Sequence, residues 1–178
     1  MSEQSHEHDA RILAKKSAIE YYGLGVVVGD ADTSVWKCHT MLPEREPVEG
    51  IPFSACNLAH IWPVEMIRQA DEIAAELKLP DGFFAEPRNY LVLPRIVHVA
   101  FDSEAVLLVP KRDGTVVVRK WRADKLTAKD AESLSPYYNQ TLQWPNSAKA
   151  PCVPFMRLLC LAYDDGLAHF PRRDELRE

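Results

Sequence analysis

No C-x-x-C pair occurs in this chain of 178 residues; its four cysteines stand apart at positions 38, 56, 152 and 160. That argues against a zinc knuckle and makes free thiols in a reducing compartment the expectation. No apolar run approaches the length of a membrane span, so no membrane partner is expected. The opening MSEQSHEHDARILAKK has no apolar signal core, and the expected location is intracellular, cytoplasmic or nuclear. Glycines 23, 25 and 29 of GLGVVVGD miss the spacing G-x-G-x-x-G, which reads as a short strand between turns rather than a dinucleotide loop. An excess of positive charge is also missing. With 21 basic and 26 acidic residues the net charge is −5, which speaks against a general polyanion binder and leaves room only for a local basic face. Internal repeats and low-complexity tracts are absent.

What is present fits one α+β domain with a real core. HEHDARILAKKSAIEYYG reads as a helix with Ile12, Leu13, Ala14 and Ile19 near one face, stopped by Gly23. His6, His8 and Asp9 at its start read as a mobile tail, not a metal site. Short strands are expected around Val35–Cys38 and Ala55–Ile61, joined by a proline-rich surface loop from Thr40 to Ser54. Pro63 suits the first position of a helix whose stripe is Met66, Ile67, Ala70, Ile73, Ala74 and Leu77, ending at Pro80-Asp81-Gly82. YLVL is extended, and Pro94 opens a shorter helix, PRIVHVAF, that ends near Asp102. AVLLV and TVVVRKW form a hairpin across Asp113-Gly114, with a link of five residues that predicts a bulged or longer turn. Thr127 caps a further helix, and a C-terminal helix covers about 154–169 with Phe155, Leu158, Leu159 and Ala162 buried.

The chemistry-bearing candidates are His60 in NLAHIWP, Asn89 and His98, at a strand end, on a loop and in a short helix. Taken singly, His60 reads as a satisfied core histidine, Asn89 as a turn residue after Pro87 and His98 as a helix-face histidine. Taken together and in order, they point to a site where imidazoles and an amide gather around a metal ion and a water. Arg119, Lys120, Arg122 and Lys125, with Trp121 among them, form the best basic–aromatic patch for nucleic acid; a solvated strand end accounts for them equally well. His39 follows Cys38 directly, and neighbours on a strand face opposite ways, so the two do not share a metal.

These segments resemble the HNH endonucleases. LAHIWP is similar to that family's A-A-H-I-x-P element, and NYLVLPRIVHVAFD to its N-G-L-x-L-x-x-x-x-H-x-x-F-D element. AVLLVPKRDGTVVV and YYNQTLQWPNSAKAPCVPFMRLL resemble the strands and tail of the restriction-type subgroup. The resemblance implies a ββα-metal core with a hairpin extension and flanking N- and C-terminal helices. It places a nuclease-like domain over residues 35–170, after an extension of 1–34 and before a flexible tail of 171–178. It also implies DNA as substrate and a divalent cofactor, Mg²⁺, Mn²⁺, Ni²⁺ or Zn²⁺. His60 would then be the general base, Asn89 would fix the loop and orient the site, and His98 would hold the metal. Arg95, one helical turn before His98, would meet a phosphate oxygen.

Two positions depart from the pattern. Ala59 stands where many members carry a second metal ligand, so water or a carboxylate from elsewhere completes the shell, or the metal binds weakly. Val99 stands where a basic side chain is common. Asp102 is expected to cap or orient the following hairpin. Two further readings stay open: a degenerate HNH fold serving as a binding or interaction module, and an unrelated α+β enzyme.

Overall fold

Helix α1, Glu3–Tyr22, stops where Gly23 adopts φ 68°. The Gly23 N–H donates to the Glu20 carbonyl and the Leu24 N–H to the Ile19 carbonyl, the paired bonds of a Schellman ending. A left-handed residue is needed there, and glycine supplies it without a Cβ clash. Ala18, Ile19 and Tyr22 are buried, with Ile12 and Ala14 partly so, whereas Leu13 is 68% exposed and falls off the expected face. His6, His8 and Asp9 lie within the helix rather than in a tail.

The computed structural model describes residues 3–25, 37–42, 51–53, 56–61, 70–143 and 159–160. After α1 come β1 (Lys37–Cys38), β2 (Ile51–Pro52), β3 (Cys56–His60), α2 (Ala70–Leu77), β4 (Tyr90–Pro94), α3 (Arg95–Asp102), β5 (Val106–Pro110), β6 (Val116–Lys120) and α4 (Ala128–Leu134). The strands form three antiparallel pairs, β1–β2, β3–β4 and β5–β6. The expected loop between Thr40 and Ser54 therefore contributes a strand, Ile51–Pro52, that pairs back on β1. Helix α2 ends at Leu77, before the proline that was expected to stop it, and Lys78 follows with φ 53°. The strand expected within 26–36, the first turns of the helix expected from Pro63, and the tail 171–178 lie outside the described residues. Of the C-terminal helix only 159–160 are described, with Leu159 buried.

The centre of the molecule is β4. Its sequence YLVLP is a continuous apolar run, and all five residues are buried. Such a run suits a strand covered on both faces, and both α1 and α3 pack against it. Its edge away from β3 is also occupied, since Met41 N–H donates to the Val92 carbonyl. Pro94 ends the strand and stands at the N-cap of α3, where its missing N–H costs nothing. Helix α3 thus follows β4 directly, while β3, separated from β4 in the chain by α2, pairs with it from Cys56↔Pro94 to His60↔Tyr90. The β5–β6 hairpin turns at Gly114 (φ 84°), where the Asp113 carboxylate accepts from Thr115 N–H at 2.9 Å. Thr127 caps α4 as expected, its hydroxyl accepting from Asp130 N–H.

One expectation fails outright. Cys38 and Cys56 are both buried and are joined as a disulfide that ties β1 to the start of β3. The cysteines are therefore not uniformly free thiols, and the argument for a reducing compartment drawn from them falls. Cys160 is exposed, and Cys152 lies outside the described residues. Among the described residues no helix is long and apolar enough to cross a membrane.

Lys15, on α1, donates to the Phe53 carbonyl and sits over the Phe53 ring, 4.0 Å from its centroid. Burial lowers its pKa to about 8. An unfolded lysine titrates near 10.4, so between about pH 8 and pH 10 the unfolded chain holds more protons and stability rises with pH. Below that window Lys15 contributes no slope. The melting temperature of the wild type, measured against Lys15→Met, is expected to gain between pH 7.5 and pH 9.5. Parallel curves for the two proteins would exclude Lys15 as the titrating group.

Candidate functional site

The last residue of β3 is His60, and the first of β4 is Tyr90, opposite it in the ladder. Their rings meet edge to face, centroids 4.8 Å apart and planes at 65°. Burial raises the pKa of the Tyr90 phenol, so Tyr90 stays a neutral neighbour at any ordinary pH. Asn89 ends a short 3-10 turn, Pro87–Asn89, and is fully buried. Its carbonyl accepts from Ile61 N–H at 2.8 Å, which carries the β3–β4 pairing one step past His60 and fixes the backbone that holds the imidazole. His60 and Asn89 thus share one end of the strand pair.

His98 belongs to α3, part-buried with 20% of its side chain exposed. Both ring nitrogens are engaged. Nδ1 lies 3.0 Å from Asn57 Nδ2 on β3, and Nε2 lies 3.1 Å from Asp102 Oδ2, one turn further along the helix. With the amide so oriented, Nδ1 accepts and Nε2–H donates, which is the neutral Nε2–H tautomer. Asp102 was expected to cap or orient the hairpin; its carboxylate instead faces His98. Arg95 is exposed at the start of α3, one turn before His98.

Asn57 is the residue that sequence reasoning missed. It sits on the strand that ends in His60, and alternation puts Asn57 and Ala59 on the face towards α3, with Leu58 and His60 on the other. Ala59 is completely buried and offers a methyl group to that face. His60 and His98 are therefore held at different ends and on opposite faces of β3, His60 closing the strand and His98 meeting it at Asn57 near its start. Among the described residues no group of three or more His, Cys, Asp or Glu is arranged to hold a metal.

The basic patch is partly spent on neighbours. Arg122 pairs with Glu104 at 3.4 Å and Asp124 at 3.6 Å, and Lys125 reaches the same Glu104 at 3.7 Å. Arg119 donates to Asn139 Oδ1, while Lys120 is exposed at the end of β6. Two of the four cations thus face a carboxylate, which weakens the local field available to a phosphate backbone.

No family model, curated protein or solved structure matches the chain.

Proposed function

We propose that the chain is a metal-dependent endonuclease that hydrolyses DNA phosphodiester bonds with an HNH-type strand–strand–helix unit. The observation that carries the proposal is the antiparallel β3–β4 pair with α3 following β4 directly, His60 ending β3, Asn89 preceding β4 and His98 on the helix. A divalent ion at His98 would need the Nε2 lone pair with Nδ1–H donating to an acceptor, and the part-exposed ring meets that need if the Asn57 amide turns its oxygen to Nδ1. A bound Mg²⁺, Mn²⁺, Ni²⁺ or Zn²⁺ would supply Lewis-acid stabilisation of the phosphate and the leaving oxygen.

The chain's own residues do the rest. His60, as a neutral imidazole, accepts the proton of the attacking water; its working range suits neutral pH. Tyr90 packs against that ring and limits its rotation. Asn89 clamps the backbone after His60 through Ile61. Arg95 offers its guanidinium to a phosphate oxygen.

A second reading, a binding or interaction module on the same fold, is favoured by two particulars. The contacts of His60 and His98 lie on different faces of β3, and Glu104 neutralises part of the basic patch. Nicking of supercoiled plasmid by the purified chain, with each of the four metals and with chelator, decides between them. Metal-dependent nicking is expected. Retention of DNA without nicking under any metal would leave the module reading.

A further inference from the structure

Ala59 leaves the proposed metal with one protein ligand too few, and the structure offers a replacement next to His98. Resting on the metal site proposed above, we infer that Asp102 is the second protein ligand, so that His98 Nε2 and Asp102 Oδ2 form a two-point seat for a divalent cation on one face of α3.

The geometry carries this. Two donors each about 2.1 Å from one ion, at a right angle, are about 3.0 Å apart; His98 Nε2 and Asp102 Oδ2 stand 3.1 Å apart across a hydrogen bond that an entering ion would replace. The residues are spaced i, i+4, so the helix itself sets their distance, and neither needs a loop to close. Imidazole and carboxylate together suit Mn²⁺ and the later transition ions better than a lone imidazole does. Both side chains open to solvent, Asp102 with 60% exposed, which leaves the remaining positions to water or phosphate oxygens.

Asn57 completes the arrangement as a positioning residue. Without metal, Nε2–H donates to Asp102 and Nδ1 accepts from Asn57. Ligation through Nε2 requires its lone pair, so the ring proton leaves Nε2 and one is taken up at Nδ1 from solvent. The Asn57 amide then turns to present its oxygen. The imidazole stays neutral throughout, and Asn57 can satisfy either tautomer because it carries both a donor and an acceptor.

Calorimetry of the full chain with Mn²⁺ and Zn²⁺, without nucleic acid, tests the seat. Wild type is expected to bind one ion, and Asp102→Asn to weaken Mn²⁺ binding roughly tenfold or more. Asp102→His separates ligation from mere orientation of His98. A true ligand position exchanged for imidazole shifts preference towards Zn²⁺ over Mn²⁺, whereas an orienting position loses affinity for both alike. ¹⁵N resonances of His98 should show the protonated nitrogen move from Nε2 to Nδ1 on adding Zn²⁺. Wild-type affinity in Asp102→Asn, an unchanged metal preference in Asp102→His, or no binding by wild type overturns the inference. An Asp102-dependent site in a protein that does not nick DNA upholds it and removes the nuclease reading instead.

Discussion

His60→Ala is expected to lower metal-dependent nicking by about a hundredfold to ten-thousandfold, the usual loss on removing a general base. That corresponds to roughly 3–5 kcal/mol of barrier. The fold should survive, because His60 is the last residue of β3 and is only part-buried, while the ladder up to Ala59 and the Ile61–Asn89 bond are made by backbone groups. What the substitution removes is a proton acceptor and an edge-to-face contact with Tyr90. His60→Gln sharpens the test, since it keeps a polar side chain there but cannot take a proton at neutral pH. Both variants should bind Mn²⁺ as the wild type does, because the contacts of His98 run to Asn57 and Asp102. Undiminished nicking by well-purified His60→Ala would mean that another group, or a contaminant, activates the water. Equal loss of metal affinity in His60→Ala and His98→Ala would make His60 a ligand and leave the base unassigned.

Much of this framework was readable from residue patterns whose causes are local. Pro94 between YLVL and RIVHVAF marks the passage from strand to helix because proline is tolerated at one end of each and inside neither. Gly23, Gly114 and Thr127 each meet a local backbone need that a short window reveals. The site was readable only in part, because its decisive contacts are tertiary. Asn57 in CNLAH looks like an ordinary polar strand residue, and its partner His98 lies 41 positions away. Glu104 meets Arg122 and Lys125 only once the β5–β6 hairpin is folded, and with Asp124, two positions from Arg122, it leaves a mixed cluster where the sequence suggested four cations. Asp102 was misjudged for a different reason. Its spacing from His98 was visible, but its proximity to the following strand suggested a capping role instead.

The disulfide was illegible in principle. Four cysteines do not determine their own pairing, and the absence of C-x-x-C argued for none. Its removal is expected to be the largest single effect on stability. Cys38 and Cys56 are 18 positions apart, and in the chain-entropy account closing a loop of that size stabilises by about 3 kcal/mol through the unfolded state. For a chain of 178 residues that is a fall in melting temperature of roughly 6–12 °C. Reduction by a thiol and the double substitution Cys38→Ser, Cys56→Ser should give similar shifts, and the double variant should no longer respond to reductant. The two sulfurs are also in the core, so the hydroxyls of the variant add a burial cost; Cys38→Ala, Cys56→Ala separates that cost from the loop term. The consequence reaches the site, because Cys56 begins the strand that His60 ends and Asn57 follows the bond directly. Loss of the tie should therefore lower metal affinity at His98 as well as stability. A melting temperature that ignores both reductant and substitution would show that β1 and β3 are held together by packing alone.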